Sequence, residues 1–363
     1  MRYKKFLALL LALTLVCGSL SGCASERQTE PAEPTVSFTD SLGRTVDIPE
    51  TLTRVAPSGA VASMFLATIA PEYMTTINAT PSSSQYKYLD PRLIDLPTTG
   101  QMYGSKSTLN LESILTSGAQ IVIDLGDKKG NMAADLDALQ RQIGMPVIFI
   151  EADLPHMAEA YRTLGNILSG KEARGEELAA FVEETVSMAK ENALKIQDAE
   201  RISVLYTSGS SGLNTNAKGS IQAQVLDLMG IENAAVVEDV SNKGGGNPIN
   251  LEQLYRFDPD VILFTAGSTY STAADDEAWQ PLRAIEAGRY YEIPSMPYNW
   301  LSNPPSLNML LGVWWLGNLL YPQYYAYDMV EKTQEMFRLL WSYDLSADEA
   351  RAMLANSTLK GTP

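Results

Sequence analysis

The chain has 363 residues, with 43 Asp and Glu against 27 Lys and Arg, a formal net charge of −16, one His and two Cys. So acidic a surface does not attract nucleic acid or anionic lipid by charge, and a single histidine excludes a histidine-rich site for bare zinc or manganese. The length suffices for two lobes with separate cores.

Arg2, Lys4 and Lys5 precede an apolar run from Phe6 to Val16. This is a secretory pattern, too short and wrongly flanked for a spanning helix. It ends in Leu20-Ser21-Gly22-Cys23, which has the form of a bacterial lipobox. Small residues there admit the peptidase, and the thiol of Cys23 takes the diacylglycerol. Cleavage before Cys23 removes only positive charges, so the net charge falls from −16 to about −19. Cys17 leaves with the signal, and no free thiol remains for a disulfide, a zinc site or a nucleophile. No later segment is apolar for long enough to span a bilayer, so the lipid is the one membrane anchor expected. Residues 24–34 are polar and contain proline, and they read as a flexible tether.

Val36–Asp40 and Arg44–Ile48 alternate apolar and polar residues around Ser41-Leu42-Gly43, which predicts a β-hairpin. Strand-then-helix units follow: a strand Arg54–Pro57, a turn at Ser58-Gly59 and a helix Ala60–Ile69. Further strands are expected at Thr75–Ile77, Gln120–Asp124 and Pro146–Ile150. The run Gln120–Asp124 is apolar almost throughout, as in a parallel sheet covered on both faces. Such alternation implies an α/β domain. From Pro155 the rhythm changes. One helix runs to about Leu168, Ser169-Gly170 interrupts it, and a second runs from Lys171 to about Ile196. Leu178, Val182, Thr185, Ala189 and Ala193 mark its apolar face. At 1.5 Å per residue this second helix spans about 39 Å, the reach of a strut between two lobes. The α/β pattern then restarts with a strand Arg201–Tyr206, a helix Ser220–Met229 and a buried strand Asp260–Phe264. The last third is helical and rich in Trp and Tyr.

One segment is echoed. Asn110-Leu111-Glu112-Ser113-Ile114 leads into strand Gln120–Asp124, and Asn250-Leu251-Glu252-Gln253-Leu254 leads likewise into strand Asp260–Phe264. Each Asn suits a helix N-cap, and each Glu suits the positive helix end.

The hairpin segment Thr39–Pro49, the strand and turn Arg54–Ser58, the paired Asn-Leu-Glu segments and the Asp258–Ile262 strand occur in that order. Trp279–Ile285, Gly288–Ile293, Leu311–Leu316 and Leu320–Pro322 follow. Together, over nearly the whole mature chain, they resemble the ABC-importer binding proteins for iron-siderophores, haem and cobalamin. These form the periplasmic-binding-protein class whose lobes are joined by one rigid helix. The resemblance implies a signal peptide (1–22), a lipidated tether (23–35), an N-terminal α/β lobe (36–154), connecting helices (155–197) and a C-terminal α/β lobe with a helical end (198–363). The two Rossmann-like lobes would hold a ligand groove between them. The resemblance also implies capture and delivery without covalent chemistry and without a cofactor of the protein's own, at the extracytoplasmic face of a bacterial membrane. The partners implied are a dimeric permease with its ATPase subunits and a small-molecule iron chelate, haem or corrinoid. Glu112 and Glu252 match the surface glutamates that engage permease arginines.

Strand ends give the groove candidates. From the N-terminal lobe these are Ser58, Gly59, Tyr103, Asp127 and Lys128. From the C-terminal lobe they are Tyr206, Ser208, Asn214, Lys243, Asn247, Ser268, Tyr298 and Trp300. Tyr and Trp suit the broad apolar contacts of a planar chelate or macrocycle, whereas Trp314 and Trp315, mid-helix among Leu and Val, read as core. Lys128, Lys129, Lys218 and Lys243 offer positive charge to an anionic ligand, but no arginine cluster supports a strongly anionic chelate. The runs Thr207–Gly212 and Gly244–Gly246 lack phosphate-loop spacing and read as mobile groove loops. His156 is expected on the connector, away from haem, and no metal site is assigned, although a Tyr or Met axial ligand remains open. Two alternatives stand beside this reading. One is a lipid-anchored hydrolase using a glycosidase-like carboxylate pair, for which no Gly-x-Ser-x-Gly elbow is present to suggest a serine nucleophile instead. The other is a sensor on the same scaffold without a permease.

Overall fold

A computed structural model of the chain describes residues 33–104, 108–242, 244–302 and 304–359. The signal segment, Cys23 and most of the tether lie outside the described residues, as does Lys243. The described residues from Thr35 onward form one compact unit.

The alternation near the start of this unit becomes an antiparallel hairpin of β1 (Thr35–Thr39) and β2 (Thr45–Pro49), with Phe38 opposite Val46. Val46 and Ile48 turn inward while their neighbours face solvent. The buried Asp40 carboxylate closes the turn by accepting the backbone N–H groups of Leu42 and Arg44 at 2.9 and 3.0 Å. Arg44 pairs with Asp40 at 3.0 Å and donates to the carbonyl of Val147 at 3.1 Å, which ties the hairpin to the first sheet.

That sheet is parallel, in the order β3 (Val55–Pro57), β4 (Ile121–Gly126), β5 (Val147–Glu151), with Ala56 beside Val122 and Val122 beside Val147. Every residue of β3 and β4 is buried, as expected of a strand with both faces covered. Helices α1 (Ala60–Ile69), α2 (Leu111–Thr116) and α3 (Met132–Ile143) carry the chain between the strands. The strand expected at Thr75–Ile77 does not form. Thr75 donates to Val55, whereas Ile77 donates to Pro97 and accepts from Thr99, so its bonds are split between two neighbours and give only isolated bridges.

Helices α4 (Met157–Ile167) and α5 (Glu172–Ala193) follow. The second is shorter than its sequence suggests, at 22 residues, or about 33 Å. The second sheet contains β6 (Ser203–Ser208), β7 (Asn214–Thr215), β8 (Glu232–Asn233), β9 (Asn247–Pro248), β10 (Val261–Phe264) and β11 (Tyr290–Glu292). Its order is β11-β10-β6-β7-β9, with β8 also against β6. β6, β8, β10 and β11 are parallel, whereas β7 runs antiparallel to β6 and β9 antiparallel to β7. The glycine-rich run after β6 is therefore a hairpin turn rather than a groove loop. Gly209 and Gly212 supply its positive φ of 78° and 68°, which other residues adopt at a cost. The helix expected at Ser220–Met229 splits into a 3-10 turn, Ile221–Ala223, and a short α6 (Gln224–Leu228). Helix α7 (Leu251–Phe257) leads into β10, and α8 (Asn308–Leu320), α9 (Met329–Trp341) and α10 (Ala347–Leu354) end the fold.

Helix α5 packs on α4, α1, α6 and α8. Its seam with α4 depends on Gly165 and Gly175: a Cβ on Gly175 would lie 2.7 Å from the carbonyl oxygen of Tyr161. Trp314 lies in the core, its indole N–H donating to Thr185 of α5 at 2.9 Å, and Trp315 donates to the carbonyl of Ser357 at 2.8 Å. Among the described residues no helix is long and apolar enough to cross a membrane.

Candidate functional site

The C-terminal ends of β3 and β4 carry Ser58-Gly59 and Gly126-Asp127 to one edge of the first sheet. A cavity of about 620 Å³ opens there, where open α/β sheets place their ligands. Ser58, Gly59, Tyr103, Asp124 and Asp127 line it from the first half of the chain. Ile221, Gln222, Asn242 and Gly244 line it from the second half, and Pro304 and Pro305 also border it.

Asp124 lies in β4 and is 5% exposed. Ser58 donates to its Oδ1, and Oδ2 has no hydrogen-bond partner. Burial pushes its pKa up to about 6; the Ser58 hydrogen bond and the Lys129 charge oppose that rise, while Asp127 adds to it. Lys129 itself is engaged: its Nζ lies 3.1 Å from Asp127 Oδ1 and 5.2 Å from the centre of the Tyr103 ring. Burial, followed by the charges of Asp124 and Asp135, raises the Tyr103 phenol well above its ordinary value. Gln222, which also lines the cavity, sits in the 3-10 turn and is 4% exposed. Its Nε2 donates to the Asn242 carbonyl at 3.2 Å, Asn242 Oδ1 accepts the Ile221 N–H at 2.9 Å, and Gln222 Oε1 has no partner.

Ser58, Gly59, Tyr103 and Asp127, all expected at a groove, meet at this cavity. Lys128 does not reach it and instead pairs with Glu151 at 2.7 Å. The described candidates from the second half lie elsewhere. Tyr206 is buried, its hydroxyl 3.0 Å from Ser302 Oγ. Ser208 donates to the carbonyl of Gly245 at 3.3 Å. Asn214 is taken up by β7. Asn247 holds its own loop, accepting from the Ser241 N–H at 2.9 Å and donating to the Asp239 carbonyl at 2.6 Å. The Ser268 hydroxyl is buried away from the cavity. Tyr298 lines a neighbouring cavity of about 260 Å³, where burial pushes its pKa up to about 12. Trp300 is fully buried, its indole N–H donating to the Met296 carbonyl at 2.8 Å. At the end of β6 the chain doubles back into β7, and Ile221, Gln222, Asn242 and Gly244 line the cavity from the second half. Asp124 carried a signal in the sequence, a charge inside an apolar strand run. Gln222 and Asn242 carried none.

Glu112 and Glu252 occupy the same place on α2 and α7, exposed and two residues after capping asparagines. Asn110 and Asn250 accept the N–H groups of Ser113 and Gln253 at 3.1 and 2.8 Å. Glu252 pairs with Arg256 at 3.0 Å. One set of metal-type donors exists among the described residues, Glu151, Asp153 and His156, with ligand atoms within 4.8 Å of one another. Lys128 pairs with Glu151 at 2.7 Å, and the His156 ring meets Asp153 Oδ1 through Nδ1.

Comparison with known proteins agrees with this geometry. The family model described as Periplasmic binding protein matches residues 56–297. The Fe(3+)-citrate-binding protein YfmC of Bacillus subtilis is 23% identical over 297 residues, covering 79% of this chain and 89% of its own. YhfQ of the same species, described as an ABC transporter substrate-binding lipoprotein, is 22% identical over 84% of this chain and 93% of its own. An ABC transporter solute binding protein from Sulfurospirillum deleyianum superposes with a TM-score of 0.79 at 26% identity, covering 88% of this chain and 99% of that one. The family match takes in both sheets and the described cavity-lining segments up to Gly244, so the chain belongs to the periplasmic binding protein family, whose members bind solutes rather than transform them.

Proposed function

We propose that the chain is the substrate-binding component of an ABC importer, anchored through lipid on Cys23 at the extracytoplasmic face of the membrane. Its cargo is an iron chelate, siderophore or haem, or a corrinoid. The observation that carries this reading is the cavity at the strand ends, walled from both halves of the chain and within the volume range of small-molecule sites. Ser58, Gly59, Tyr103 and Asp127 contact the solute from one side. Residues 36–154 and 198–363 act as two lobes bridged by α5, which packs against helices of both. A continuous helix so held resists bending, so the lobes close on the solute only slightly. Glu112 and Glu252, one on each lobe, engage basic side chains of the permease dimer, and ATP hydrolysis by its partner subunits drives release.

Calorimetric titration of the full chain in detergent with ferric siderophores, haem and cyanocobalamin tests this reading. Saturable binding of one class at micromolar or lower concentration is expected. Folded protein that binds none of them would overturn it.

A further inference from the structure

Large apolar side chains left exposed in a group, rather than singly, mark a surface that another molecule covers. Eight are exposed among the described residues, and three of these lie on two short helices, α2 of six residues and α7 of seven. They are Leu115, 51% exposed, and Leu251 and Tyr255, 39% and 41% exposed. Both helices carry the repeated Asn-Leu-Glu segment, and the repeat continues beyond it in structure. Ile114 and Leu254 are buried, each in the core beside its own sheet. Glu112 and Glu252 are exposed, and three residues further on so are Leu115 and Tyr255. Residues three apart share a helix face, so each helix presents a carboxylate beside an apolar side chain. Folding alone gives no reason to repeat that pairing on both halves of the chain.

Each helix also starts close to the cavity. The Thr108 N–H donates to the carbonyl of Gln101, a lining residue, at 2.9 Å, and the Asn110 N–H donates to Thr99 at 2.7 Å. In the second half Asn250 follows Gly244, another lining residue, by six positions. The partner is a protein rather than the lipid surface. A carboxylate beside each apolar group, on a chain of net charge −16, is repelled by anionic lipid but complements a basic protein surface. Arg256 holds Glu252 at 3.0 Å in an exposed pair within the helix, a contact of little net worth that yields to a partner.

We infer that Leu115 on α2, and Leu251 and Tyr255 on α7, are the apolar half of the docking surface for the permease, whose two subunits each offer a hydrophobic pocket beside a basic side chain. The assignment deepens the reading of Glu112 and Glu252 as docking residues and rests on it. Charge steers the encounter, and the apolar anchors hold the complex once it has formed.

The test is uptake of radioiron-labelled ferrioxamine B and haem, and of radiocobalt-labelled cyanocobalamin, by cells whose own copy is replaced by each variant of the full chain. Leu115→Ser and, separately, Tyr255→Ser should each lower uptake of the imported probe about 5-fold or more when the chain is sparse. Raising expression should restore uptake, as for weakened docking, and calorimetric affinity for that probe should stay within about twofold of wild type. Leu115→Lys should lower uptake further than Leu115→Ser, because it sets a cation against a basic partner; on anionic lipid it would instead preserve uptake. The substitutions lie on separate helices, so if one variant fails to fold the other answers the question. Undiminished uptake in the folded serine variants, uptake preserved by Leu115→Lys, or a loss that higher expression does not restore overturns the inference. If Glu112→Ala with Glu252→Ala still lowers uptake in that case, the docking reading stands without it. If that pair also leaves uptake intact, or the wild type imports none of the probes, both fall.

Discussion

Asp124→Asn replaces a buried carboxylate with a neutral group that keeps an acceptor for Ser58, and its effect on stability depends on pH in a defined way. In the folded chain the Asp124 carboxyl titrates near 6, against an ordinary value of 3.8. Below 3.8 it is neutral whether the chain is folded or not. Between 3.8 and 6 the folded state holds a proton that the unfolded state has released, so wild-type stability falls as pH rises. Above 6 both states are ionised and the full penalty is present. At 1.36 kcal/mol for each pH unit of difference, the penalty reaches about 3 kcal/mol. Asn carries no such penalty. Urea unfolding of both proteins at pH 4, 5, 6 and 7 isolates this term, because the other titrating groups are common to both. The stability of the variant relative to wild type should rise by about 2 kcal/mol from pH 4 to pH 7 and level off beyond 6, with unchanged urea dependence. A difference that stays constant across this range would refute the raised pKa of the buried Asp124. A variant that is more stable at pH 7 and poorer at binding would show the exchange of stability for function expected at a ligand site.

Two further outcomes follow from the same structure. Glu112→Ala with Glu252→Ala should reduce uptake by cells at least 10-fold while solute affinity, measured by calorimetry, stays within about twofold, since interfacial charges act on partner association. Gly175→Ala should destabilise the chain by about 1–3 kcal/mol, because the added methyl enters a seam already filled by Tyr161 and Gly165; thermal unfolding of the variant measures it.

The parts of the fold written most plainly in the sequence are those where local pattern and burial coincide. The apolar run that becomes β4 is buried on both faces, and the alternation around Gly43 becomes β1 and β2. The break at Ser169-Gly170 separates α4 from α5 where a left-handed glycine, φ 72°, is needed. Where tertiary pairing decides, local pattern fails. Thr75–Ile77 looks like a strand, yet its partners lie on two different segments. The glycine run after β6 looks like a loop, yet it closes a hairpin because Asn214-Thr215 pairs back onto β6. That turn pairs Ser208 with Asn214 and keeps both in the sheet rather than at the cavity. Expecting ligand contacts at strand ends assumes that the chain leaves each strand toward the cavity, and after β6 it folds back. In the first half the chain does leave β3 and β4 in that way, and Ser58, Gly59 and Asp127 sit at the cavity. Gln222 reaches it from a 3-10 turn about 14 residues beyond β6, a placement that no local pattern encodes.

The central claim is that the cavity between Asp124 and Gln222 holds a metal-bearing solute. Anomalous diffraction at the iron or cobalt edge, from crystals grown with the tightest-binding probe, locates that metal directly. The account predicts a single strong peak inside the cavity, among Ser58, Tyr103 and Asp127. A peak at the Glu151–His156 cluster or anywhere else outside the cavity would contradict it.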